Sequence, residues 1–147
     1  PTTSTAARNT SHELGDECWT ITEWVNNTSH GSLGQPWPRL GCNTKSQINS
    51  YTVGTLYKPY GGIPTGLTSS NLLMNKLKYG TQFQKYMLVA RLNAKLVTNV
   101  QACLLNNMTD QLPLMASGTY SPPNLPGVVW NQTDIIQYLG SNWMVQP

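Results

Sequence analysis

The stretch QFQKYMLVARLNAKLV, residues 82–97, decides how this chain folds. Phe83, Met87, Ala90, Ala94 and Val97 recur at spacings of four and three, which puts them on one face of a helix. Leu88, Leu92 and Leu96 form a second stripe, leaving mainly Gln84, Arg91 and Lys95 for solvent. A helix that is apolar over most of its circumference is a central one, so the rest of the chain is expected to pack around it.

Weaker helical signals lie on both sides. Ser69 or Ser70 is placed to cap a short helix carrying Leu72, Leu73, Met74 and Leu77, and residues 99–106 offer Val100, Cys103 and Leu104 as a further helix. Thr133 is placed to cap a last one through Ile135, Ile136 and Leu139, with Gly140 as its stop. Residues 18–66 alternate short apolar pieces with Gly31, Gly34, Pro36, Pro38, Gly41, Pro59, Gly61, Gly62 and Pro64, which read as turns. A short helix or strand is expected near Trp19–Val25 and one strand near Tyr51–Tyr57. The predicted fold is mainly α: one small domain of three to four helices with long Pro/Gly-rich loops and room for a short β element.

The length of 147 residues fits one domain and is enough to bury a core. Residues 1–17 hold a single large aliphatic, Leu14, among Thr, Ser, Ala and charges, so they cannot form a core of their own. They are expected to be an extended N-terminal arm, packed on the body of its own subunit or on a neighbour's, with residues 18–147 as the globular domain. Charged residues make up only 10% of the chain, against roughly 25% in an ordinary soluble domain, so Asn, Gln, Ser and Thr must provide its polar surface. The net charge of +3 is spread thinly, without the basic cluster that nucleic-acid binding requires. The longest apolar runs fall far short of the roughly 20 residues that cross a bilayer, so no transmembrane segment is expected. The chain opens Pro1-Thr2-Thr3-Ser4-Thr5 and is read as processed, its targeting peptide removed.

Few residues point to chemistry. His12 and His30 are the only histidines, the six carboxylates are scattered, and no nucleophile elbow, phosphate loop or zinc-ligand spacing occurs. The chain is accordingly expected to be no enzyme and to need no cofactor. His12, Glu13, Asp16 and Glu17 concentrate potential ligands but match no established metal loop, so a solvated acidic stretch is the preferred reading and no metal is expected. Among Cys18, Cys42 and Cys103, a Cys18–Cys42 disulfide is preferred, since closing that loop contributes on the order of 3 kcal/mol. Cys103 is then a buried thiol. Asn-X-Ser/Thr sequons stand at Asn9, Asn26, Asn27, Asn107 and Asn131, candidates for covalent glycans, with Asn26 and Asn27 too close for joint use. Trp24 and Trp37 lie in loop-rich sequence, where exposed rings would stack on sugars, but packing in the core is the preferred reading for the tryptophans.

Residues 79–96, YGTQFQKYMLVARLNAKL, resemble a helical segment in a family of extracellular and cell-surface protein modules, bacterial and other, whose helix runs from a Gln-containing turn to Ala-Ala-Lys-Leu-Asn. Gln84 and Val89-Ala90-Arg91-Leu92-Asn93 occupy those places, and Cys18, Trp24, His30 and Trp37-Pro38 resemble the family's Cys, Trp-Lys-x-His and Trp-Pro opening. Here His30 follows Trp24 by six residues instead of three, and Val25 replaces the usual lysine. The resemblance implies a secreted or surface-attached domain with no catalytic residues to carry over. It transfers one position, Asn93, in a structural role: a buried amide satisfying backbone groups of nearby loops.

These readings converge on an extracellular, glycosylated, non-catalytic structural subunit of a filament, coat or matrix, its partners being copies of itself, a homo-polymer formed partly through the arm. The alternative is a secreted carbohydrate-binding or adhesion module working through exposed tryptophans.

Overall fold

The helix at Gln82–Leu96 is central, as its pattern predicts: every residue from Tyr86 through Asn93 is buried. The computed structural model describes residues 18–96, 111–141, 145 and 147. Within them lie seven α-helices, α1 (Ile21–Asn26), α2 (Pro36–Arg39), α3 (Lys45–Ser50), α4 (Val53–Tyr57), α5 (Leu73–Tyr79), α6 (Gln82–Leu96) and α7 (Gln132–Ser141), with 3-10 turns at Gly31–Leu33 and Leu112–Met115. Helix α6 packs against α1, α5 and α7; α1 also meets α2 and α5, and α3 meets α5. The fold is mainly α in one small domain, around a single hydrophobic core that draws residues from Cys18 to Val145.

Local chemistry sets the short helices. Thr20 and Thr44 each close a capping box, with Glu23 and Gln47 reaching back to the cap N–H. Thr81 and Gln84 do the same for α6, their reciprocal bonds measuring 3.0 and 3.1 Å. Such caps let short helices persist where propensity alone would not: α1, α3 and α4 carry one, while α2 has none and starts on Pro36, and α1 is the helical form of the short element expected near Trp19–Val25. The strand anticipated near Tyr51–Tyr57 is instead helix α4, capped by the Thr52 hydroxyl. No strand occurs among the described residues; only isolated antiparallel bridges pair Thr52 with Leu72 and Tyr120 with Trp130.

Other boundaries shift by a residue or two. Helix α5 starts at Leu73 from an N-cap at Leu72, not at Ser69 or Ser70, and the Ser69 carbonyl accepts the Gly54 N–H, 2.9 Å away. A Cβ on Gly54 would lie 2.8 Å from that carbonyl oxygen, so only glycine allows this approach. Helix α7 is capped by Asn131, whose Oδ1 accepts the Asp134 N–H at 2.9 Å while Asp134 accepts the Asn131 N–H at 3.0 Å. Thr133 therefore sits inside the helix, and Gly140 continues it to Ser141 instead of stopping it. The helix expected over 99–106 lies outside the described residues, as does the arm.

Candidate functional site

Side chains that the sequence offers for recognition are mostly turned inward. Trp24 and Trp37 are both 0% exposed, so neither can stack on a sugar, and Trp19 and Trp130 are buried as well. Each of the three N-terminal indoles has an acceptor for its N–H: Trp19 donates to Gly34 O at 2.7 Å, Trp24 to Asn93 Oδ1 at 3.2 Å and Trp37 to Trp24 O at 2.7 Å. Their rings meet edge to face, with centroids 5.9 Å apart for Trp19–Trp24 and 5.5 Å for Trp24–Trp37, and Tyr51 continues the row at 5.8 Å. With its polar atom satisfied, an indole gains from full burial, and this removes the rings from the surface.

Asn93 ties that row to α6. Its Nδ2 donates to Trp19 O at 3.0 Å and its Oδ1 accepts from Trp24, so one buried amide serves the segment entering α1 and α1 itself. Arg91, expected in solvent, is also buried: its guanidinium lies 4.0 Å from the Tyr60 ring centroid and 5.9 Å from that of Tyr57. Aromatic faces give a cation somewhere to go without water, which periodicity cannot reveal. Burial pulls the Arg91 pKa down, and the nearby tyrosines push it back.

The predicted Cys18–Cys42 bridge does not form. Cys18 is disulfide-bonded, but Cys42 is a free thiol buried where the α2 turn ends, its N–H bonded to Trp37 O. Burial raises the Cys42 pKa, which keeps the thiol protonated and unreactive. Loop-closure entropy says how much a bridge contributes and not which cysteines come within reach of one another, so it could not identify the pair. The remaining cysteine, Cys103, lies outside the described residues.

Among the sequons, Asn26 and Asn131 are exposed. Asn27 is half-buried in a left-handed conformation with φ 54°, closing α1, and its Oδ1 accepts the Trp37 N–H. Asn9 and Asn107 lie outside the described residues, as do His12 and the acidic stretch after it. His30 Nδ1 lies 2.8 Å from Glu23, whose carboxylate also caps α1, so the pair fastens the loop that follows that helix. No group of three or more His, Cys, Asp or Glu able to hold a metal occurs among the described residues. No helix there is long and apolar enough to cross a membrane.

Large apolar side chains are exposed at Leu114, at Val128 and Val129, and along a ridge that spans α5 from Leu72 to Tyr79. Tyr79 is 77% exposed and Leu72, which precedes α5, is 46% exposed. Shallow grooves of about 200 and 350 Å³ share Lys78 and Tyr79 as a common wall; Leu72 and Met74 line one, Ile21, Val25 and Lys85 the other. The floor is made by α1 and α5, which the Asn93 amide and the tryptophan row hold in place beneath it. Sequence reasoning missed this face, since Tyr79 reads there only as the start of the 79–96 segment and Lys78 only as part of a thinly spread charge. No family model matches the chain, and neither the curated proteins nor the solved structures contain a match to it.

Proposed function

We propose that the chain is a non-catalytic structural subunit of an extracellular filament, coat or matrix, assembling with copies of itself partly through residues 1–17. The observation that carries this reading is the Leu72–Tyr79 ridge: Leu72 and Tyr79 stand exposed at the two ends of α5, beside grooves walled by Met74, Ile21 and Val25. A rigid, partly apolar face on a surface with few charges favours association over isolation. A disulfide at Cys18 supports an oxidising compartment, as does the resemblance to surface modules, and glycans at the exposed Asn26 and Asn131 would suit the same setting. The carbohydrate-binding alternative loses the residues it rested on, since Trp24 and Trp37 are in the core.

Electron microscopy of the native material, with intact-mass measurement, tests the proposal. Ordered polymers and a mass above the 16.2 kDa of the bare chain are expected. A monomer of 16.2 kDa would contradict both the assembly and the sugar.

A further inference from the structure

Charge is divided unequally along this chain. Residues 1–17 carry one arginine against three carboxylates, Glu13, Asp16 and Glu17, a net of −2; residues 18–147 carry eight Lys and Arg against three acids, a net of +5, and the two sum to the overall +3. Of the three acids in the body, Asp110 lies outside the described residues, Glu23 is engaged with His30 and the α1 cap, and Asp134 with the α7 cap. Neither Glu23 nor Asp134 is available to Lys78 or Lys85, the cations of the Tyr79 grooves.

Helix stability explains only one of those lysines. Lys78, in the last turn of α5, suits the negative end of the helix dipole. Lys85 lies one turn into α6, where a cation opposes the dipole. Its position makes sense if an anion comes to it. The sequence Ser11-His12-Glu13-Leu14-Gly15-Asp16-Glu17 has the matching pattern, with the arm's single large aliphatic between carboxylates. The grooves present the converse, with apolar walls at Leu72, Met74, Ile21 and Val25 and lysines beside Tyr79.

We propose that the Tyr79 face receives residues 11–17 of a second copy, Leu14 packing beside Tyr79 and Glu13, Asp16 and Glu17 meeting Lys78 and Lys85. This rests on the assembly reading and gives it a receiving surface. Repeated head to tail, the contact is heterologous and yields an open polymer where the rotation between copies does not close a ring. Because exposed charges supply part of it, association weakens as salt rises.

Sedimentation velocity on full-length chains tests it. One chain carries Lys78→Glu with Lys85→Glu, another Glu13→Lys, Asp16→Lys and Glu17→Lys, and a control carries Lys45→Glu with Lys58→Glu, which changes net charge as the groove variant does. Each of the first two alone should associate about tenfold more weakly than wild type, or worse, and an equimolar mixture of them should recover association, since each arm then meets a groove of opposite sign. The control should associate as wild type does, and Tyr79→Ala should weaken association without unfolding the chain.

A groove variant that associates like wild type would overturn the proposal and leave the assembly reading standing. So would equal loss in the control, or a mixture that fails to recover. A wild-type chain monomeric at every concentration would overturn both. Binding of that monomer to phosphatidylserine vesicles, lost with Lys78→Glu and Lys85→Glu, would assign the face to a membrane instead.

Discussion

The amide of Asn93 joins residues about seventy positions away in sequence: it donates to Trp19 O and accepts from Trp24 Nε1, both in buried surroundings. Removing it would leave a buried donor and a buried acceptor unsatisfied, at about 1–3 kcal/mol each. Asn93→Leu keeps the branching and the number of side-chain heavy atoms and loses both bonds, so urea unfolding should show a loss of roughly 3 kcal/mol. A variant as stable as wild type would mean the amide does not tie α1 to α6. The structural role of Asn93 enters through the resemblance of residues 79–96 to a surface-module helix, and core packing is the preferred sequence reading of the tryptophans, which their burial matches. Burial of Arg91 was not legible, because it depends on Tyr57 and Tyr60.

Two substitutions separate helix propensity from context at the level of elements. Alanine is ordinarily better than glycine inside a helix by up to about 1 kcal/mol. At Gly54, within α4, the added Cβ would meet the Ser69 backbone at 2.8 Å, so Gly54→Ala should lower stability despite that gain. A rise in the unfolding midpoint would show that the α4 contact yields. Asn131→Ala should cost about 1 kcal/mol by removing the cap of α7, while Thr133→Ala, at an exposed position within the helix, should change stability by less than about 0.5 kcal/mol. Helix α6 could be read nearly to its ends because its own apolar pattern defines it. Of the four short helices up to Tyr57 the sequence offers only α1, as a helix or a strand near Trp19–Val25, since each is held by a cap or a tertiary contact more than by periodicity. The sequence contains the Thr-x-x-Glu and Thr-x-x-Gln boxes at Thr20, Thr44 and Thr81, and these were the signal to follow.

For the molecule as a whole, burial raises the pKa of several tyrosines. Tyr51 is pushed from 10 up to about 12, mainly by burial and further by Cys42 and Tyr60, while Tyr57 goes well above its usual range, only partly pulled back by Arg91. These phenols hold their protons in the folded state at pH values where the unfolded chain has released them. Stability from this source is complete below about pH 10 and falls as pH rises through the folded-state values. The unfolding midpoint should therefore drop steadily above pH 10, and Tyr51→Phe should flatten that decline; a midpoint independent of pH up to 12 would contradict the burial of these rings.

The same view of the whole chain connects a rigid helical body, an exposed ridge at Tyr79 and an acidic N-terminal segment. The ridge was not legible in advance, because it is made where α1, α5 and the start of α6 meet. Charge partition between residues 1–17 and the remainder was legible, but had no counterpart until that face was located. The most direct test is sedimentation velocity of the full-length chain over a wide concentration range at low and high salt. Species larger than 16.2 kDa that grow with concentration and dissociate in high salt are predicted; a single 16.2 kDa component under every condition would contradict self-assembly.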